Sequence, residues 1–404
     1  MPTSVSAVAS RSWTCLLALF LAASAPAQGT ASASAPGKGA AIGPDPYTEG
    51  KQAILTKANY VRFAPFQFGG NHTTGEVEAL LGHKNIAWIE TKHFRLGCSL
   101  SPLKAKSPAV WGKKWGASLK RELTTLRKRI PSIKKPKVLD PWVRAHLFAH
   151  RLEKLYDDVS GNLELGRNGD EVDQEIVVGP YLGMTEKAAV LLLQKRSDHA
   201  RYTRAYHGRE MGDPIRLHDG HFDCMYWGAS EETAENLFAS DFALHTHVTY
   251  NVAHNLYSGY RTFRRPLPAW LITGLCHFHA RQISPRFPTH DRPSTEDGGG
   301  SKHSAFWKWD ERIGGLVKNE ALEPLDKLFD RKSSHDFEVE QHMHAWSVVA
   351  FLAEHHKAKL FRFVHLVKGS GVSQRDAFHQ AFDCEVTEID AAWQKNATKR
   401  KRRR

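Results

Sequence analysis

The stretch DFALHTHVTYNVAHNLYSGYRTFRRPLPAWLITGLCHFHARQI, residues 241–283, decides how this chain is read. Apolar residues recur at helical spacing toward each end, and the middle is polar and rich in aromatics. The pattern predicts two helices joined by a loop. Histidines gather on the sides that would face each other, which invites a metal site. The rest of the chain is read outward from this pair.

With 404 residues the chain has ample material for a buried core in one large domain or two ordinary ones. Its 41% hydrophobic and 25% charged residues are those of a globular protein, not a disordered one. Arg11 precedes an apolar run over 13–23, and Ala25-Pro26-Ala27 has the small-x-small pattern of a signal-peptidase site. Residues 1–27 therefore read as a signal peptide, with cleavage near Ala27 and a secreted or periplasmic product. No later run is long and apolar enough for a transmembrane helix. Residues 28–57 read as an Ala/Gly/Ser/Pro-rich linker, with order beginning near Asn59.

Four cysteines remain after the signal: Cys98, Cys224, Cys276 and Cys384. In an exported chain they could form two disulfides, or pack as small buried residues. The formal charge is +13, of which the tail 399–404 supplies +6 and Arg11 +1. A mildly basic body with a basic tail suits an anionic envelope polymer or nucleic acid, or is simply a solvated chain end.

Along the chain, YVRFAPFQF (60–68), IAWIET (86–91) and HFRLGCSL (93–100) read as strands. Helical patterns follow over 117–130 and 141–159, the second with Leu147, Ala149, Leu152 and Leu155 on its apolar face. AAVLLLQKR (188–196) reads as a buried strand leading into a polar helix over 197–206. PIRLHDGHFDCMYW (214–227) reads as a hairpin turning at Asp219-Gly220. After the central helix pair comes an exposed loop over 289–303, and the remainder is helical. A β-rich first half with helices and an all-helical second half predicts an α+β fold.

A zinc peptidase sets two histidines at i and i+4 on a helix, so that both imidazoles reach one tetrahedral ion. A glutamate beside the first activates the bound water, and a third ligand arrives from elsewhere. YNVAH (250–254) lies where HExxH would lie, and LPAWLITGLCHF (267–278) resembles the LPxWLxEGLAxY segment of the gluzincin metallopeptidases. Eighteen residues separate His254 from Thr273, the spacing of HExxH-x18-E. IETKHFRL (89–96) is similar to the N-terminal TxHF strand of secreted bacterial peptidase-MA-like proteins. The segments 344–364 and 376–394 are similar to their helical end. The resemblance covers about 85–397 and implies a gluzincin-like arrangement: a mixed sheet with helices, an active-site helix pair, then helices. It places one domain over 58–397, with 398–404 as a basic tail.

This chain departs from the family at the positions that carry the chemistry. Tyr250 stands at the first histidine, Asn251 at the general-base glutamate and Thr273 at the third ligand; His254 alone is kept. Asn cannot take a proton, and neutral Thr is a poor zinc ligand. The first reading is thus a pseudo-metallopeptidase that keeps its cleft to bind a peptide or cell-envelope component, with no cofactor expected. The second is an active zinc hydrolase with substituted ligands, drawn from His254, Tyr250, Cys276 and His277. The third is a basic envelope- or nucleic-acid-binding protein, with nucleic acid the less favoured partner. His342 and His344 fall near the family's oxyanion-stabilising position. His247, sharing a face with Asn251 and His254, and Trp270 are candidate binding residues. Packing is the other reading of Trp270, Trp307, Trp309 and Trp346.

Overall fold

AAVLLL forms β6 (Ala188–Leu193), the centre of a six-stranded mixed sheet. It lies parallel to β3 (Phe94–Cys98) on one side and to β8 (Cys224–Ser230) on the other. An unbroken apolar run is what a strand covered on both faces requires. Val190 and Leu192 belong to the larger core, under α4 (Pro141–Leu165) and α6 (Asp241–Gly259). Ala189, Leu191 and Leu193 alternate into a second core with Val77 of α2 (Thr74–Leu80) and Tyr202 of α5 (Arg196–His207). Beyond β3, β2 (Ala87–Thr91) and β1 (Tyr60–Phe63) run antiparallel. At the other end β7 (Ile215–Asp219) pairs antiparallel with β8 and closes the order β1-β2-β3-β6-β8-β7.

The computed structural model describes residues 43–82, 85–105, 108–167, 179–233, 238, 240–285, 308–335, 337–369 and 371–400. The expected signal segment over 1–27, Trp307 and the loop expected over 289–303 lie outside the described residues. The remaining first-half elements are α1 (Gln52–Ala58), α3 (Pro108–Arg129) and a two-stranded sheet of β4 (Leu103–Lys104) and β5 (Val138–Leu139). After α6 the described chain is all helical. It comprises α7 (Ala269–Ile283), α8 (Trp309–Lys318), α9 (Leu325–Asp330), α10 (Val339–His355), α11 (Lys357–Gly369), α12 (Gln374–Phe382) and α13 (Val386–Arg400). The fold is α+β. Among the described residues no helix is long and apolar enough to cross a membrane.

Three sequence expectations change. Order begins earlier than Asn59: α1 lies inside the expected linker, and Asp45 and Thr48 are buried. Asp45 Oδ2 sits 3.1 Å from His146 Nε2 and accepts from Thr48 Oγ1 at 2.5 Å, while His146 Nδ1 pairs with the Tyr60 hydroxyl at 3.0 Å. These polar contacts pin a segment whose composition carries no apolar signal. The hairpin exists, but Asp219 pairs with Cys224, so its loop is four residues long and Asp223, at φ 51°, is the left-handed position. Of the two readings left open for the cysteines the structure has the second: Cys98, Cys224, Cys276 and Cys384 are free, and the first three are buried. Lastly, α13 continues to Arg400, into the expected tail.

The helix pair is held at both ends and along its length. Ser240 caps α6, its side chain accepting from Ala243 N–H at 3.1 Å. Past the other end, Lys368 Nζ from α11, fully buried, donates to the carbonyls of Ser258, Thr262 and Arg265 at 2.6–2.7 Å. Burial pulls the Lys368 pKa down to about 7, with Arg265 adding to it. One carbonyl from the last turn of α6 and two from the loop after it match the three N–H groups of the ammonium form. Against α10, α7 comes close at Gly274, where a Cβ would stand 2.5 Å from the Ala345 carbonyl oxygen and from Val349 Cγ2. Gly274→Ala is therefore expected to push α7 off α10 and cost about 1–3 kcal/mol, measured as a lower denaturant midpoint.

Candidate functional site

Positions 250, 251 and 254 sit on α6 and position 273 on α7, and the two helices pack side by side. Asn251, where the resemblance would place the general base, is 1% exposed and fully engaged. Its Nδ2 donates to the His247 carbonyl at 2.9 Å and meets His247 Nδ1 at 3.0 Å. Its Oδ1 accepts a short hydrogen bond from Arg216 Nη1 on β7. The amide thus joins α6 to the edge strand and is bound to a cation. A carboxylate there would be drawn into an ion pair with the same guanidinium.

His254 is half-buried on the next turn, with Nδ1 3.2 Å from Ser258 Oγ. It makes no ring or hydrogen-bond contact with Tyr250, Cys276 or His277. Burial, followed by the charge of Arg216, lowers its pKa well below the usual imidazole value, so the ring is neutral. Tyr250 turns to the other helix, its ring centroid 4.8 Å from that of His277. His277 Nε2 lies 3.1 Å from His342 Nδ1 on α10 and packs edge-on against Trp309. Cys276 is fully buried, and burial pushes its thiol up. Thr273 is buried as well.

The structure therefore splits the sequence candidates. Tyr250, His277 and His342 come together, as do Arg216, His247 and Asn251, while His254 stands with Ser258. Within the mixed ligand set read from the sequence, His254, Cys276 and His277 do not gather as a trio that could hold a metal ion. These residues fit a zinc ion poorly, because Tyr250 contacts His277, His254 pairs with Ser258, and the charge of Arg216 lies close to His254. Among the described residues no three His, Cys, Asp or Glu side chains gather to hold a metal ion.

Two candidates are corrected. Trp270 is not a binding residue of a cleft: it is fully buried, stacked on Phe329 and Phe363 at 4.7 and 6.1 Å. His344 does not reach the helix pair's site. It stacks on Trp393 of α13 at 4.6 Å, with both ring nitrogens lacking a hydrogen-bond partner. Two positions apart on a helix, His342 and His344 must point to different sides. His247 is buried with its ring edge-on to Phe238 at 5.1 Å, a packing and positioning residue. Trp309 and Trp346 flank Arg281, whose Cζ is 4.1 and 4.3 Å from their ring centroids.

Arg216 is the residue that sequence reasoning missed. It lay in an expected hairpin strand, and nothing in spacing links it to Asn251, 35 positions away. Neither protein-family models nor curated proteins give a match to this chain.

Proposed function

We propose that this is an exported pseudo-metallopeptidase, a gluzincin-like scaffold that binds an extended peptide or cell-envelope segment without cleaving it. The single observation that carries this reading is Asn251. The place of the general base holds an amide, and that amide is tied to Arg216 and His247. An amide in that place cannot take the proton that the family's glutamate takes from water. Binding has a surface. β7 is the open edge of the sheet, unpaired on its outer side among the described residues, and an exposed edge accepts an added strand through its backbone groups. Next to it His218 stacks on Phe263 at 4.0 Å, and Phe263 is 39% exposed, an apolar step for a side chain of the guest.

The test is metal content together with hydrolysis of unfolded casein, with and without a chelator. The expected result is substoichiometric zinc and no cleavage above background. Stoichiometric zinc with chelator-sensitive cleavage would overturn the reading.

A further inference from the structure

The positive charge of this chain is concentrated in one stretch. Residues 104–137 hold twelve Lys and Arg against a single acid, Glu122. With Arg11 and the tail 399–404 set aside as well, the remaining residues carry a small net negative charge. The described cations of the stretch lie on α3 and on the loop that follows it.

On α3, Lys120, Arg121, Arg127 and Lys128 are exposed. Seven residues make nearly two turns, so the four share about a third of the helix circumference and extend over about 12 Å. The opposite side, with Leu119, Leu126 and Ile130, is buried in the larger core. Beyond the helix the chain turns at Ile133, fully buried, whose N–H donates to the Ile130 carbonyl at 3.1 Å. Lys134, Lys135 and Lys137 are exposed on this turn. It is fastened to the β4–β5 ladder, where the Lys137 carbonyl accepts from Ala105 N–H at 2.9 Å. The cations thus stand on a packed base.

Nearby carboxylates do not neutralise them. Glu122 is turned inward and accepts from Arg151 Nε at 3.2 Å and Nη2 at 2.8 Å. Asp140, the next acid along the chain, accepts from Val143 N–H at 2.9 Å and from the Tyr47 hydroxyl. Among the described residues, none of these four helix and three loop cations makes an ion pair. The negative end of the helix dipole accounts for Arg127 and Lys128 in the last turn of α3. It does not account for Lys120 and Arg121 two turns earlier, or for three lysines past the end. Like charges about a Debye length apart repel one another, a cost that an anionic partner removes.

We infer that this face binds a linear polyanion of the cell envelope, a chain of repeating phosphate or carboxylate groups. Single-stranded nucleic acid binds through aromatic rings on which its bases stack, and among the described residues this face exposes none. A membrane surface takes up an apolar wedge, whereas α3 presents Thr124 and Thr125 between its cations, and Val138 stands alone on β5. Duplex nucleic acid needs only charge, so the choice of an envelope polymer over it rests on the export read from residues 1–27. The surface itself does not.

The experiment uses the purified full chain, so it reports on the surface whether or not residues 1–27 direct export. Fluorescently labelled inorganic polyphosphate is the probe, read by anisotropy from about 50 to 200 mM salt. Unlabelled polygalacturonate, duplex DNA and phosphatidylglycerol vesicles compete with it at equal charge concentration. Polyphosphate is expected to bind, and the stronger of polyphosphate and polygalacturonate shows whether phosphate or carboxylate is preferred. The quadruple variant Lys120→Gln, Arg121→Gln, Arg127→Gln, Lys128→Gln should bind about tenfold or more weakly at about 100 mM salt, with its log–log salt slope flatter by about 3. The loop variant Lys134→Gln, Lys135→Gln, Lys137→Gln leaves the helix intact and should flatten the slope by about 2. Lys318→Gln, Lys327→Gln, Lys332→Gln removes three exposed charges elsewhere and should change affinity by less than about twofold. The tail 399–404 is present in every variant, so its own contribution cancels. Absence of binding to both polymers, an equal loss in the third variant, or readier displacement by duplex DNA or vesicles than by polygalacturonate and unlabelled polyphosphate would each overturn the assignment.

Discussion

Acidification from pH 7 to 4 is expected to unfold the chain cooperatively, with a midpoint near pH 5. Burial holds His72, His199, His279 and His344 down to about 4, and all four are at most 5% exposed. In the unfolded chain they titrate near 6.5. Between those values the unfolded state binds more protons than the folded one. The stability these neutral rings confer is therefore full above pH 6.5 and is lost as pH falls toward 4. Each contributes roughly 3 kcal/mol to that loss by pH 4, so four together match the whole stability of a typical domain. His72, His199 and His279 pair with the hydroxyls of Tyr202, Tyr226 and Tyr257, which can also accept from a protonated ring. His344 has no such partner. His344→Phe keeps the stacking on Trp393, removes two unsatisfied polar atoms and should move the acid midpoint down. Circular dichroism and tryptophan fluorescence across pH 7 to 3 give the answer, and a chain still folded at pH 4 would contradict the argument.

Asp241→Asn is expected to cost about 3–5 kcal/mol. Asp241, in the first turn of α6, is 2% exposed and meets Arg151 Nη2 at 2.7 Å and Arg144 Nη2 at 3.8 Å. Both arginines come from α4. Arg151 also binds Glu122 on α3 at 2.8 Å, and Arg144 binds Glu231 and the Ser101 carbonyl. Removing the carboxylate leaves two buried cations short of a partner, which is far more costly than the pair is worth. Arg151→Met should cost a similar amount for the same reason. The double variant should cost less than the two added, by on the order of 2 kcal/mol, because it removes the orphaned charge as well. Urea denaturation of the four proteins measures this. Full additivity would show that the ion pair is not coupled across the helices.

Local pattern made much of the fold readable. An apolar run of six residues announced β6, and Leu147, Ala149, Leu152 and Leu155, chosen from helical spacing, are all buried on α4. Both helices of the 241–283 stretch appear. What failed was read from composition or from two-residue signals. The linker expectation missed Asp45 and Thr48 because their burial rests on His146, a hundred residues on. The Asp219-Gly220 turn gave way to a longer loop because the β7–β8 register, not the dipeptide, sets where the strands part.

The candidate site divides in the same way. That positions 250, 251 and 273 carry Tyr, Asn and Thr is a matter of sequence alone, since identity and spacing along a helix need no tertiary contact. So are the α+β order and the helix pair, because backbone hydrogen bonding and side-chain period act over a few residues. Only the tertiary structure decided what those residues do. Arg216 reaches Asn251 from 35 residues away, His277 meets His342 from 65, and Trp270 and His344 are claimed by packing. Such partners are set by how the sheet and helices stack, and no local period encodes that.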